Sequence, residues 1–87
     1  MQIRKNVIPL STFVLDKGPT IKIEEVCCEY ITCSLLINNT LCTESIKIKI
    51  GDTAKMKFCA ASYTEKCVTI TYLEMISQLA NISISLH

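Results

Sequence analysis

The chain has 87 residues, 49 % of them apolar, with 9 Lys plus Arg against 8 Asp plus Glu and no Trp. A single domain of this size buries only about 60–65 % of its unfolded surface, so staples or a partner are expected to complete its stability. The balanced charge gives no bulk basic surface for nucleic acid, and the longest uncharged stretches, Tyr30 to Thr43 and Met75 to His87, are too short and too polar for a membrane span.

Residues 1–16 open the chain as an extended segment. The start Met1-Gln2-Ile3-Arg4-Lys5-Asn6-Val7-Ile8-Pro9-Leu10 lacks the unbroken apolar run of a signal peptide, so synthesis without export is expected. Apolar residues recur at Ile3, Val7, Ile8, Leu10, Phe13 and Leu15, while Pro9 argues against a central strand. Two readings stay open. The segment is either an ordinary first strand with an edge proline, or a detached strand that augments the open sheet edge of a neighbouring copy through those six residues.

From residue 17 onward the period is two. Ile21 and Ile23; Ile31, Cys33, Leu35 and Ile37; Ile46, Ile48 and Ile50; Ala54, Met56 and Phe58; Val68, Ile70 and Tyr72; and Ile82, Ile84 and Leu86 alternate with mostly polar residues, the mark of half-buried strands. Turn signals separate them at Lys17-Gly18-Pro19, Asn38-Asn39-Thr40, Gly51-Asp52 and Ala60 to Lys66. Only Leu73 to Ala80 hints at a helical turn. The expected fold is all-β: a small β-sandwich of about eight strands with jelly-roll or Greek-key connections, residues 17–87 forming its body.

Charge and cysteine positions sharpen that picture. A flat hairpin about Gly51 with both apolar rows inward would set Lys49 against Lys55 and Lys47 against Lys57, so these two strands are expected in opposite sheets. Pairing Phe58 with Val68 aligns Met56 with Ile70 and Ala54 with Tyr72, and sets Cys59 opposite Cys67 on the outer face. An intramolecular Cys59–Cys67 disulfide closing that loop would stabilise the fold by ~2–3 kcal/mol; in the alternative, both thiols reach other subunits.

Six cysteines in all, at 27, 28, 33, 42, 59 and 67, allow 15 complete pairings within one chain. Neighbouring residues on an extended strand point to opposite faces, so Cys27 and Cys28 are expected to have different partners, at least one in another subunit. Cys27, Cys28, Cys33 and Cys42 are the inter-subunit disulfide candidates.

Other chemistries find little support. The only histidine is His87, so neither a Cys–His nor a Ser-His-Asp set can be assembled away from a terminus, and Gly18 and Gly51 make no phosphate loop. Glu24, Glu25 and Glu29 are spread over two faces by alternation. Spacings of Cys28-x₄-Cys33 and Cys27-Cys28 do not match structural zinc, and no C-x-x-C redox motif occurs. Lysines 47, 49, 55 and 57 lack interleaved aromatics and suit a solvated face. Asn38-Asn39-Thr40 and Asn81-Ile82-Ser83 match the glycosylation sequon, which matters only on export in a eukaryote. No enzyme, cofactor or metal site is expected.

Cys27-Cys28-Glu29-Tyr30-Ile31-Thr32-Cys33 resembles the double-cysteine signature of the endospore appendage subunits of Bacillus-type spore formers. Gly51-Asp52-Thr53-Ala54-Lys55-Met56, Ala60-Ala61-Ser62 and Cys67-Val68-Thr69-Ile70-Thr71-Tyr72 look like that family's last two strands, and together these segments cover roughly a third of the chain. The resemblance implies a jelly-roll subunit that self-assembles into a spore-surface fibre by β-augmentation and by disulfides from an N-terminal connector. It implies synthesis in the mother cell without a signal peptide and oxidation after assembly, with a spore-coat or tip protein as a further partner. In the family the cysteine pair precedes the fold, whereas here residues 1–26 hold no cysteine, so the connector role does not transfer intact. The expected function is a structural, disulfide-crosslinked homopolymer. The alternative is a small secreted or virion-surface binding module stapled by internal disulfides.

Overall fold

The computed structural model describes residues 2–15, 19–37, 40–41, 44–59 and 65–86, with the backbone alone at 40, 41, 59, 65 and 66. Among the described residues, alternation of apolar and polar residues produces nine strands: β1 (Gln2–Val7), β2 (Thr12–Val14), β3 (Thr20–Val26), β4 (Tyr30–Ile37), β5 (Thr40–Leu41), β6 (Ile46–Lys49), β7 (Thr53–Cys59), β8 (Glu65–Ile76) and β9 (Leu79–Leu86). They form two antiparallel sheets packed as a β-sandwich. One sheet has the order β1-β9-β8-β7, and the other β2-β3-β4 with β5 and β6 both against β4. Leu36 pairs with Leu41 and Cys33 with Ile46, so β5 and β6 lie along the same edge of β4. In effect each sheet is four strands wide.

Every ladder but two joins strands consecutive in sequence; β6 takes the same side of β4 as β5, and β1 against β9 closes the circuit. The connections are therefore up-and-down, where jelly-roll or Greek-key crossovers were expected. The turns explain this. Between β8 and β9 the left-handed residues Ser77 (φ 51) and Gln78 (φ 67) reverse the chain in two residues and return β9 beside β8.

The inward positions of the alternation meet in one core. Ile21, Ile23, Ile31, Cys33 and Leu35 of one sheet face Val68, Ile70, Tyr72, Ala80 and Ile82 of the other, each 0 % exposed, with Ile48, Met56, Phe58 and Ile84 around them. β6 and β7 lie in different sheets, as the lysine argument requires. Gly51, at φ +87, carries the chain across between them. Its N–H donates to the Tyr72 carbonyl at 2.7 Å, and the Tyr72 N–H donates to the Asp52 carbonyl at 3.2 Å.

Residues 2–15 fold against their own chain. β1 pairs with β9 over six residues, and β2 pairs with β3 over three, so the segment supplies one edge to each sheet. Val7 and Leu15 are buried at 4 % and 2 %, Ile3 and Phe13 pack against the core, and Ile8 and Leu10 stay exposed. Pro9 lies in the turn between these strands, with Leu10 at φ 63 and the Ser11 hydroxyl donating to the Ile8 carbonyl at 2.6 Å.

Two local expectations are corrected. Leu73 to Ala80 is not helical: β8 runs to Ile76, a register shift between Tyr72 and Glu74 leaves Leu73 as an extra residue, and the reversal follows at Ser77-Gln78. The bulge breaks the period of two and imitates a helical spacing. The β7–β8 register is also offset. Phe58 pairs with Lys66, Met56 with Val68 and Ala54 with Ile70, which sets Lys57 opposite Cys67 and Cys59 opposite Glu65. A two-residue slip keeps every side chain on its face, so the apolar pattern is equally satisfied by both registers.

Candidate assembly site at the double-cysteine turn

Cys27, Cys28 and Glu29 form the turn between β3 and β4 rather than part of a strand. Opposite facing on an extended strand therefore does not describe this pair. A bulge at Glu24 precedes the turn, with the Glu25 N–H donating to Thr32 Oγ1 at 3.0 Å and the Ser45 hydroxyl donating to Glu24. The Cys27 N–H donates to the Tyr30 carbonyl at 3.0 Å, and the Ile50 N–H donates to the Glu29 carbonyl at 2.9 Å. From the opposite sheet, Tyr72 Oη donates to the Cys27 carbonyl at 2.8 Å. The turn is thus pinned to its own hairpin, to the β6–β7 crossover and to a central strand of the other sheet.

On that mount Cys28 is exposed and Cys27 half-buried. Beside them Tyr30 lies under Lys47, whose Nζ is 4.2 Å from the ring centroid, and its hydroxyl donates to Glu25 at 3.3 Å. The Glu25 carboxylate, then Cys27, holds the Tyr30 phenol above its ordinary value. Burial raises the Tyr72 phenol, with Cys27 and Cys28 adding to the shift.

The other thiols are elsewhere. Cys33 faces inward, 0 % exposed, between Ile23 and Ile46, and burial, followed by Glu24, pushes its thiol up to about 12. In this fold it is a small core hydrophobe out of reach of another subunit. Cys67 is half-buried on the outer face of β8. It precedes Tyr72 by five positions, roughly 17 Å along the strand, whereas a disulfide needs Cα atoms about 4.4–6.8 Å apart. So the turn and Cys67 are not joined within one chain. Cys42 lies outside the described residues, as does the side chain of Cys59; the backbone register sets Cys59 and Cys67 diagonally rather than face to face.

Several sequence candidates are not gathered here. Glu24, Glu25 and Glu29 occupy a bulge, an outer face and a turn, and His87 lies outside the described residues. Among the described residues no group of three or more His, Cys, Asp or Glu is placed to hold a metal ion, and no helix is long and apolar enough to cross a membrane. What sequence reasoning missed is the role of Tyr72: read as one more inward residue, it is the tie between the cysteine turn and the second sheet. Its phenol ending an alternating apolar row was the available signal, since a buried tyrosine hydroxyl needs a partner.

The fold and this turn define a small all-β sandwich presenting the exposed Cys28, beside a half-buried Cys27, on a braced hairpin. No family model, no curated protein and no solved structure matches the chain.

Proposed function

We propose that the protein is a structural subunit that self-assembles by strand augmentation into a disulfide-crosslinked extracellular fibre, with a spore-surface appendage or pilus-like filament as the specific form. The supporting observation is the Cys28 thiol, exposed on a braced turn, with neither Cys33 nor Cys67 of its own chain within bonding distance of that turn. Such a thiol is set to meet one from another copy. Oxidation links two thiols as electrons pass to molecular oxygen or to a small disulfide, which fits a fibre finished outside the cell after mother-cell lysis. Exposed Ile8, Leu10, Val14, Ile50 and Ile76 offer apolar surface to a neighbour.

Non-reducing gel electrophoresis, with electron microscopy of the same material, tests this reading. A ladder of multimers, or material that fails to enter the gel, is expected, and monomers should appear only with reductant and denaturant together. A single monomer band that merely shifts on reduction would replace the fibre with a disulfide-stapled binding module.

A further inference from the structure

Resting on that reading, we infer that the seam between copies is an oxyanion site, so that a multivalent anion such as inorganic phosphate controls strand augmentation. The first step is which edges can augment. β2 has three residues, β5 two and β6 four, so among the described residues the second sheet offers no long edge. The β1-β9-β8-β7 sheet ends in strands of six and seven residues. Successive strands there run antiparallel, so β1 and β7 point in opposite directions. A translated copy therefore brings its β7 antiparallel to β1, continuing the sheet in a head-to-tail, non-closing manner.

The second step is what that seam juxtaposes. Ile3, Ile84, Ile70 and Ala54 form one inward row, which places Arg4, Ser83, Thr71 and Thr53 in an outward row and Gln2, Ser85, Thr69 and Lys55 in the next. Outward residues must meet outward residues across the seam. Opposing Arg4 to Lys55 pairs Ile3 with Met56, and the neighbouring register opposes Asn6 to Lys55 and Arg4 to Lys57 and pairs Ile3 with Phe58. In either, Arg4 and Lys55 are direct or diagonal neighbours, about 5–8 Å apart. Both are exposed.

Like charges at that distance oppose pairing. A tetrahedral oxyanion reverses the sign: it takes paired hydrogen bonds from the Arg4 guanidinium and a third from Lys55, while the Ser83 and Thr53 hydroxyls of the same face stay engaged with Gln2 and Thr71. Neither copy alone holds both cations at the seam. The site is completed only by assembly, and the anion favours the assembled state by linkage.

Assembly of the reduced full-length chain, followed by light scattering and electron microscopy in sodium phosphate and in sodium chloride at matched ionic strength, tests this. Phosphate should lower the concentration at which fibres begin by roughly tenfold, the worth of one charge-assisted hydrogen bond. The double variant Arg4→Gln, Lys55→Thr, its fold checked by circular dichroism, should assemble readily in both salts and lose the preference. Equal assembly of the native chain in both salts, or a preference that survives in the double variant, overturns the anion site and leaves self-assembly standing. Absence of fibres under every condition, oxidising ones included, removes self-assembly and the seam with it.

Discussion

Tyr72 and Cys27 are joined across the two sheets by a 2.8 Å hydrogen bond from a buried phenol to a turn carbonyl. Tyr72→Phe keeps the ring and removes the tie. The expected cost is about 1 kcal/mol, because the carbonyl, only partly buried, recovers water. Urea denaturation of the reduced monomer measures it, and disulfide linking through Cys28 should slow as its mount loosens. An unchanged midpoint and unchanged linking rate would show the bond to be incidental.

Cys33 supplies a pH dependence whose sign is fixed. Its folded value of about 12 exceeds the ordinary 9.0, so the unfolded chain releases this proton first. Stability from this group is complete below about pH 9 and is lost as pH rises towards 12, on the order of 4 kcal/mol over the whole span. Cys33→Ala should therefore show a shallower fall in stability above pH 9 than the native chain, by up to one proton in slope. Parallel curves would place the thiol in contact with water.

The exposed Cys28 can be separated from the buried Cys33. Cys28→Ser should remove or shorten the ladder on non-reducing gels, whereas Cys33→Ala should leave the ladder in place at a temperature where it is folded. A ladder unaffected by Cys28→Ser would move the covalent link to another cysteine.

Ser77 and Gln78 both hold left-handed backbone that Asn and Gly adopt more readily. Replacing the pair by Asn-Gly should stabilise the β8–β9 hairpin by roughly 1 kcal/mol. A rise in thermal midpoint checks it, and a fall would mean that the original side chains make contacts worth more than the backbone strain.

Removal of residues 2–15 deletes one edge from each sheet together with buried Val7 and Leu15. The truncated chain should show no cooperative thermal melt. A cooperative melt would instead mark the segment as dispensable to the body of the fold and suited to donation between copies.

Much of this architecture was legible because alternation is a direct record of burial. Ile21, Ile23, Ile31, Leu35, Ile70 and Ile82 were read inward and are fully buried. Lys47, Lys49, Lys55 and Lys57 separated two strands into different sheets because like charges cannot oppose one another cheaply. Register was less legible, since a two-residue slip between β7 and β8 leaves every face unchanged. The turn at Cys27-Cys28-Glu29 has no Gly, Pro or Asn to announce it, and the bulge at Leu73 disguises a strand as something else. Of the candidate site, the reactive residues were visible; their support from Tyr72 was not, because it joins residues 45 positions apart.

The ladder between β1 and β9 brings Gln2 opposite Ser85. The first and last strands thus leave the molecule at the same corner, and the order of neighbours around the sandwich has no privileged starting point. A short linker from residue 86 back to residue 2, with new ends cut at the Ser77-Gln78 reversal, would keep every strand beside its present neighbours. Polypeptide added before β1 or after β9 would project from a single spot, leaving the cysteine turn between β3 and β4 unencumbered.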